Sequence, residues 1–390
     1  MRFSSSFFSI IILLLCSGCN ISKHFLHYYQ NIDFNNNLKL KKVSFQHLEG
    51  WKSDNHNLAI RSLVNSCDQL ALLPQNQTLN QIYLNKKQVD INQELTPTDF
   101  RDACDLVDIV KSMNSNQARN FFEAWFTPFL VVDDNYFWQK KNNFTGYYQI
   151  ELNGSETKDD KFIYPIYAMP SDIDKSKPYF TRQEIEDGAI KDKEILLFVD
   201  DAVRLFFMHI QGSGRIFLAD GRVIRLAFAG SNNHKYYPIG KYLIEQNIIN
   251  KKAMNATKIQ DWLNENPDFA KLIMQKNSSY IFFKISDEES PIGSQAVPLT
   301  PERSIAIDPA YINYSLPIWV VTQINNSEKF TKLLIAQDSG SAIKGKVRGD
   351  IFFGKGRDAE FKASHLVNSG KYYLLLPNYF VNRIKPHKAR

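Results

Sequence analysis

The sequence has few cysteines, and its N-terminal apolar run is too short to cross a membrane. The four cysteines are Cys16, Cys19, Cys67 and Cys104. The last two cannot supply the four ligands of a structural zinc site. The apolar run from Phe7 to Leu15 is shorter than the roughly 20 residues that a membrane-spanning helix needs. We therefore expect neither a structural zinc nor a membrane-spanning helix here.

The chain also lacks a basic patch. It has 47 Lys and Arg against 41 Asp and Glu, a formal net charge of +6, and these residues are spread along the chain. Nucleic-acid binding usually shows as a clustered basic surface, so we expect no nucleic-acid partner. Only a weak, long-range attraction to an acidic polymer remains. Nothing in the sequence calls for a metal or an organic cofactor.

Residues 1–18 have the pattern of a secretory signal, with Arg2 ahead of the apolar run and small residues at its end. The ending LLLCSGC resembles a lipoprotein cleavage site, in which Cys19 becomes the acylated first residue, although Cys16 stands where leucine is usual. Asn20 follows, where lipoproteins of the inner membrane usually carry aspartate. This resemblance implies a lipid anchor on the periplasmic face of the outer membrane. A plain cleaved signal, the alternative, also predicts export.

The two remaining cysteines lie in segments with helical spacing of apolar residues. Cys67 follows Ile60, Leu63 and Val64, and Cys104 precedes Val107. Both sulfurs are thus expected on apolar faces. In an oxidising compartment this favours a disulfide between them over the alternative, two buried free thiols.

Composition and pattern suggest a large core in two domains. The 390 residues are 44% hydrophobic and 13% aromatic. Residues 19–55, rich in Asn, Lys, His and Tyr, read as a loosely structured N-terminal linker. Three helices are predicted next, the second with Thr96 as cap and Pro97 at its first position, and the third from Ser115 until Pro128 stops it.

From about Phe129 to Phe228 the pattern changes to short strands and tight turns. The run VRLFFMHIQ is included among these strands, and ADG is a hairpin signal. Helices are expected at 238–246 and 256–275, and strands again after Tyr280. The fold class is therefore mainly β with helical additions, and at least one closed barrel is expected because free strand edges must be hidden.

Several segments resemble the membrane-bound lytic murein transglycosylase A family, in the same order and at similar spacing. They are FTGYYQIELNGS, FIYPIYAMP, FFMHIQGSGRIFLADGRVIRLAFAGSNNHKYYPIGKYLI, SYIFFK, GSQAVPLTPERSIAIDPAYI and AQDSGSAIKGKVRGDIFFGKG. The likeness runs from about Phe121 to Pro377. The resemblance implies a double-psi β-barrel domain with helices from residues 56–142 and 284–390, a second β-barrel domain inserted at 143–283, and a groove between them.

The same resemblance implies a peptidoglycan lytic exotransglycosylase, a lyase acting on polysaccharide. Such an enzyme cleaves the β-1,4 bond between N-acetylmuramic acid and N-acetylglucosamine and leaves a 1,6-anhydromuramyl product. Its implied partners are glycan strands, the outer membrane through the lipid anchor, and other cell-wall enzymes. The residues themselves leave open whether cleavage starts at chain ends or within strands.

The C-terminal part of the family is a module named for three aspartates, which here fall on Asp308, Asp338 and Asp350. Closing an anhydro ring uses the C6 hydroxyl of the sugar, so one carboxyl can act first as acid and then as base, whereas ordinary glycosidases need two. That carboxyl must be neutral near pH 7. The resemblance assigns this role to Asp350. Asp338 is expected to tune it and Asp308 to brace a barrel turn, although aspartates in tight turns also simply accept backbone amides.

Further candidates for substrate binding come from the glycine-rich segments and the aromatic residues. They are Gln211, Gly212, Ser213, Gly214, Tyr236, Gln337, Lys344 and Asp308. We expect QGSG at 211–214 to end a strand, where glycines let sugar rings approach the backbone.

Two other classes compete with the transglycosylase. The single DSG at 338–340 is half of the pair that an aspartic peptidase dyad needs. A non-catalytic, expansin-like barrel that binds peptidoglycan is the main alternative. Ser213 lacks the GxSxG pattern of a serine hydrolase.

Overall fold

A computed structural model describes residues 31–34, 38–79, 94–110, 112, 114–132, 144–174, 176–251, 253–325 and 327–383. The predicted signal, the acylation at Cys19 and residues 19–30 of the predicted linker lie outside the described residues. No helix among the described residues is long and apolar enough to cross a membrane.

The described part is built mainly of β-strands. They are β1 Asn31–Phe34, β2 Leu38–Lys42, β3 Phe126–Val132, β4 Phe144–Ser155, β5 Tyr164–Tyr167, β6 Ile195–Val199, β7 Ser213–Leu218, β8 Val223–Ser231, β9 Ile281–Ile285, β10 Ser304–Ile307, β11 Pro317–Ile324, β12 Glu328–Ser339, β13 Gly349–Lys355, β14 Val367–Asn368 and β15 Lys371–Pro377.

Helices cover the strands at several points. They are α1 His56–Ala71, α2 Arg101–Cys104, α3 Val107–Val110, α4 Ser115–Trp125, α5 Arg182–Glu186, α6 Ala202–Gln211, α7 Ile239–Glu245, α8 Ala256–Glu265, α9 Pro267–Met274, α10 Gly356–His365 and α11 Asn378–Arg383, with short 3-10 turns at Phe45–His47, Trp51–Ser53 and Pro97–Phe100.

Strand β4 joins two sheets. The first sheet has the order β1-β2-β3-β15-β11-β12-β10-β13-β4, and the second continues from β4 through β7 and β8 to β9, with β6 and β5 on the other side of β4. The first half of β4 runs parallel to β13 and its second half runs parallel to β7. Within the described residues this hydrogen-bonded path does not close on itself. The fold is therefore mainly β with helices, and β4 belongs to both sheets.

The predicted linker is wrong for residues 38–55, which belong to the fold. Strand β2 pairs with β3, and Leu38, Leu40 and Trp51 are buried. The buried carboxylate of Asp54 makes a bidentate ion pair with Arg303, at 2.7 and 2.8 Å. Composition alone misled here because a few buried apolar residues, spaced by exposed Lys and Asn, are enough to anchor a short strand.

The three predicted helices after residue 55 are present, with changes at their ends. Thr96 and Asp99 form a reciprocal capping box at the start of the second. The third begins after the cap Asn114 and ends at Trp125, so Pro128 lies inside β3 and does not stop the helix. Cys67 of α1 and Cys104 of α2 form a disulfide with Cα atoms 5.4 Å apart, which ties α1 to α2.

The run VRLFFMHIQ is a helix, which corrects the predicted strand. Asp201 caps its start by accepting from the amide of Arg204 at 2.8 Å, and Gly212 ends it in the left-handed conformation at φ 78°. Short apolar runs fit a buried strand or a buried helix equally well, and here the two caps decided the outcome.

Candidate active site

Two of the three module aspartates meet on one face of the first sheet. Asp338 of β12 and Asp350 of β13 both pair with Ala306 of the strand between them, β10. Asp350 pairs in turn with Thr145 of β4. Because residues that are directly opposite in neighbouring strands point to the same side of a sheet, the four side chains form one row. The small methyl group of Ala306 leaves room between the two carboxyls.

The carboxylate of Asp338 is held by four donors. Tyr147 donates its hydroxyl to Oδ2 at 2.7 Å. Ser294 donates both its amide and its hydroxyl to Oδ1 at 2.9 Å, and the amide of Ser339 donates to the same oxygen. Burial raises the pKa of Asp338 and these hydrogen bonds act to lower it, with a net rise, as for Asp350. An acceptor with four donors is best satisfied as a carboxylate, so Asp338 is suited to the ionised form.

Asp350 is held much more loosely. Within the described residues its one hydrogen bond comes from the hydroxyl of Thr145, at 2.6 Å to Oδ1. Burial raises the pKa of Asp350, Arg348 and the Thr145 bond lower it, and the negative charge of Asp338 raises it again, with a net rise. The side chain is half-buried and thus not sealed in the core. Asp350 is therefore the carboxyl better suited to carry a proton at neutral pH.

Tyr147 connects the two strands that carry this chemistry. Its ring packs against Phe352, with centroids 5.3 Å apart. Burial and then the charge of Asp338 raise the pKa of the Tyr147 hydroxyl well above its ordinary value. The hydroxyl therefore stays protonated and acts as a fixed donor to Asp338.

Ser294 reaches Asp338 because its loop lies directly against β12. A Cβ atom added to Gly293 would lie 2.4 Å from the carbonyl oxygen of Gln337, so only glycine permits this approach. The amide of Gln295 also donates to that carbonyl, at 3.1 Å. The glycine thus fixes Ser294 beside the carboxylate.

The structure places Gln337, a predicted substrate-binding residue, in the interior of the protein. Its side chain is fully buried and accepts from the hydroxyls of Ser62 and Ser304 while donating to Ser66. Alternation along β12 explains this result: Asp338 faces the site, so its neighbour faces α1 on the opposite side.

Asp308 is likewise not free to contact a ligand. It is 4% exposed and accepts from the amides of Ala310 at 3.1 Å and Gly345 at 2.8 Å. Lys344, which is exposed, has its ammonium nitrogen 3.8 Å from the same carboxyl. Asp308 therefore braces the turn before β13, and its burial disfavours the predicted substrate contact.

The QGSG segment joins a helix to a strand and does not end a strand. Gln211 is the last residue of α6 and accepts from the amide of Tyr148 at 3.1 Å, which ties it to β4 beside Tyr147. Gly212 has its left-handed φ as the helix cap, with open space around it. Ser213 is buried, and a Cβ atom on Gly214 would clash with the sulfur of Met208 at 2.2 Å. Ser213 and Gly214 are packing positions, which corrects their predicted role.

Tyr236 lies apart from the aspartate pair. The half-buried ring is close to Arg182: burial raises the pKa of its hydroxyl, and the guanidinium acts to lower it. It belongs to a second cluster of polar groups in the other half of the molecule.

Several site residues were missed from the sequence. They are Thr145, Tyr147 as a hydrogen-bond donor, Ser294 and Arg348. A periodic signal existed for two of them, since Thr145 and Tyr147 are two apart on β4, whereas Arg348 lies two residues before Asp350 and just ahead of β13. Ser294 had none, because it comes from a loop 44 residues before Asp338.

The arrangement can move a proton at a single carboxyl beside a fixed negative charge. Arg348 donates to the hydroxyl of Thr145 at 2.8 Å, and that hydroxyl donates to Asp350. Among the described residues no group of three or more His, Cys, Asp or Glu side chains is placed to hold a metal ion. The two neighbouring carboxyls and the hydrogen bond from Thr145 to Asp350 fit general acid and base catalysis.

Family comparisons match both halves of the molecule. The family description "MltA specific insert domain" matches residues 143–284, and "3D domain" matches residues 303–376. The first region contains β4 to β9, and the second contains both aspartates of the pair.

Three relatives are similar over long stretches. Membrane-bound lytic murein transglycosylase A of Escherichia coli is 33% identical over 240 residues, which cover 60% of this chain and 65% of that protein, so the match spans less than two thirds of its length. Its structure "with bound chitohexaose" has a TM-score of 0.60 at 27% identity, covering 72% of this chain and 85% of that one.

The other two are solved structures with higher coverage. A membrane-bound lytic murein transglycosylase from Agrobacterium tumefaciens has a TM-score of 0.75 at 27% identity, covering 89% of this chain and 99% of that one. The lytic transglycosylase LtgG of Burkholderia pseudomallei is 32% identical with a TM-score of 0.55, covering 87% and 95%.

Proposed function

The chain belongs to the membrane-bound lytic murein transglycosylase A family, and from that premise we propose that it cleaves peptidoglycan as a lytic transglycosylase. The bond broken is the β-1,4 link between N-acetylmuramic acid and N-acetylglucosamine, and the product is a 1,6-anhydromuramyl end. The observation that carries the proposal is the pair Asp338 and Asp350 on one face of the sheet, with unequal hydrogen bonding.

Asp350 acts first as the acid. Its proton passes to the bridging oxygen as the bond from C1 of the muramyl residue to O4 of the glucosaminyl residue breaks. The charge that develops on the sugar ring is stabilised by the nearby carboxylates, because opposite charges attract strongly in a partly buried site.

Asp350 then acts as the base. The C6 hydroxyl of the same muramyl residue attacks C1, forms the anhydro ring and gives its proton back to Asp350. The carboxyl ends the cycle in its starting form and no water is consumed. Asp338 stays ionised on its four donors and keeps the pKa of Asp350 raised.

The structure of the E. coli relative with bound chitohexaose supports a saccharide ligand, because that molecule is a β-1,4-linked chain of N-acetylglucosamine. Two of the predicted substrate-binding residues, Gln211 and Lys344, have side chains that are not fully buried. Gln211 is connected to the aspartate pair through β4, and Lys344 is connected to it through the turn before β13. We assign them to the glycan strand.

Digestion of purified sacculi tests the proposal. Release of anhydro-muropeptides, identified by mass spectrometry, is the expected result. Products heavier by one water would mean hydrolysis. Intact sacculi carrying bound protein would mean the expansin-like alternative, and either outcome would overturn the proposal.

The finer fold proposal is a double-psi β-barrel at 56–142 and 284–390, with a β-barrel inserted at 143–283. The parallel pairs β10 with β12 and β13 with β4 support it, as does the match of the insert description to residues 143–284. A crystal structure of the mature chain tests it. The hydrogen-bonded path of the described residues is open, so the proposal requires further strand pairs that close each barrel, and a crystal structure in which the path stays open would contradict it.

A lipid anchor at Cys19 on the periplasmic face of the outer membrane completes the proposal. The names of the relatives, which are membrane-bound, support membrane association. Labelling cells with radioactive palmitate tests the anchor. The wild type should be labelled and recovered with outer membranes, whereas a Cys19→Ser variant should be unlabelled. Equal labelling of both would contradict it.

A further inference from the structure

A cavity lies in the half of the molecule that contains β4 to β9. It has a volume of about 900 Å³ and is bounded by the second half of β4, by α6 and by α9. Neither aspartate of the pair lines it. Its volume is within the range of about 300–1,000 Å³ that is typical of small-molecule sites.

Strand β4 passes from the aspartate pair to this cavity. Thr145 and Tyr147 lie at the pair, and Glu151 and Asn153 line the cavity. Six residues of strand separate Thr145 from Glu151, which is about 20 Å at roughly 3.3 Å per residue. A group in the cavity is therefore too far from Asp350 to react, and the cavity suits a non-reacting part of the substrate.

The inner wall of the cavity carries a buried cation and an unpaired donor. Arg182 is 1% exposed and donates to His209 Nδ1 at 3.0 Å. Because Nδ1 accepts this bond, the neutral imidazole carries its proton on Nε2, which has no hydrogen-bond partner among the described residues. Burial, then the charge of Arg182, lowers the pKa of His209, so the ring is neutral. An oxygen acceptor from a ligand would satisfy this donor.

Charges of both signs line the rest of the cavity. Lys271 is largely exposed and makes an ion pair with Asp187 at 2.7 Å, Glu186 is partly exposed, and both Lys271 and Glu186 border the space. Asp200 also lines it, and its only cationic partner among the described residues is the exposed Lys161, at 3.4 Å. A neutral saccharide gains little from such charges. A short peptide with both carboxylate and ammonium groups matches them.

We infer that this cavity binds the peptide part of peptidoglycan, a short zwitterionic peptide, with a carboxylate or carbonyl oxygen toward His209 and Lys271 and an ammonium group toward Asp200. The inference rests on the proposed function, because it takes its ligand from the same polymer. It gives the inserted region a role separate from catalysis.

Calorimetric titration with a synthetic, saccharide-free stem tetrapeptide tests the inference. We expect the wild-type protein to bind it, and the double variant Asp200→Asn with Lys271→Gln to bind about tenfold more weakly, because two charge contacts are lost. The control is Asp160→Asn with Lys235→Gln, which makes the same charge changes at exposed positions outside the cavity and should bind as the wild type does.

A second variant probes the inner wall. His209→Phe keeps a ring between Tyr280 and Phe283 but removes the Nε2 donor. We expect it to weaken tetrapeptide binding while its thermal melting confirms a folded protein.

Three results would overturn the inference: no binding of the tetrapeptide by the wild type, equal binding by the wild type and the Asp200/Lys271 variant, or displacement of the tetrapeptide by chitohexaose. Release of anhydro-muropeptides from sacculi is measured on the same wild-type preparation. If release is present and tetrapeptide binding is absent, only the inference fails, whereas absent release counts against the proposed function.

Discussion

Asp338 and Asp350 flank the same residue, Ala306, from the two sides of β10. The neighbouring strands hold the two carboxyls differently: Asp338 accepts from four donors and Asp350 from one within the described residues. Two adjacent carboxyls resist double ionisation, and the one that accepts more hydrogen bonds is better able to keep the charge. The hydrogen bonds thus favour Asp338 as the ionised partner and Asp350 as the proton carrier.

Replacement of Asp350 by Asn should abolish most of the activity. The amide has nearly the same size and can still accept from Thr145, but it cannot give a proton. The rate of anhydro-muropeptide release should fall by roughly 10²–10⁴, as is typical when a general acid is lost. Asp160→Asn, at an exposed position, is the control and should leave the rate unchanged. An Asp350→Asn enzyme that digests sacculi as fast as the wild type would contradict the assignment.

Replacement of Asp338 by Asn should shift the pH profile to lower pH. The charge of Asp338 raises the pKa of Asp350, so its removal lowers that pKa. Asp350 then loses the proton needed for the first step at a lower pH, so the alkaline limb of the pH–rate profile shifts to lower pH. The measurement is the initial rate of release across pH 4–9, as a rough range. An unmoved limb would mean that the two carboxyls do not interact.

Replacement of Thr145 by Val should move the same limb in the opposite direction. Valine keeps the branched shape but removes the hydrogen bond that lowers the pKa of Asp350. The alkaline limb should move to higher pH, and the maximal rate should fall because the carboxyl is less well oriented. Opposite shifts in the Asp338 and Thr145 variants distinguish charge effects from general damage to the site. Shifts in the same direction would refute this account.

The stability of the fold should decrease as the pH falls from about 6.5 to 4. Burial holds the pKa of His56 at about 4, compared with 6.5 for a free side chain. The unfolded chain therefore binds a proton in this window and the folded chain does not. The free energy of unfolding thus decreases as the pH is lowered, and His56 accounts for about 3 kcal/mol of that decrease. Urea denaturation at several pH values measures it.

The control for that measurement is His56→Phe. The ring of His56 packs edge-on against Trp51 and parallel to Trp319, which phenylalanine can imitate. The free energy of unfolding of this variant should depend less on pH in this range, although His209 still contributes to the dependence. A slope identical to that of the wild type would exclude His56 as a source.

Removal of the disulfide should destabilise the fold without touching the catalytic groups. The bond closes a segment of 37 residues between Cys67 and Cys104, and loops of this length correspond to about 3–4 kcal/mol in the chain-entropy description. The variant Cys67→Ala with Cys104→Ala should lose this amount in urea denaturation. Wild-type protein in reductant should match it. Equal stability of oxidised and reduced wild type would contradict the prediction.

Local sequence patterns predicted the two aspartates of the candidate site. The alternation of side chains along the strand decided which of the neighbouring residues face the site. The motif placed Asp338 and Asp350 correctly in strands, but it also offered Gln337, which the pleat turns toward α1 and away from the site. Ser294 and Thr145 could not be found from the motif, because they reach the carboxyls only through loop packing and strand pairing.

The sequence by itself determined the family, the mainly β character with helices, and the two aspartates, since these depend on residue order and on local periodicity. Only the tertiary structure decided that residues 38–55 join the core and that Ala306 lies between the two carboxyls. Each of these outcomes depends on contacts between residues far apart in the chain. The energies of such contacts cannot be inferred from a short stretch of sequence.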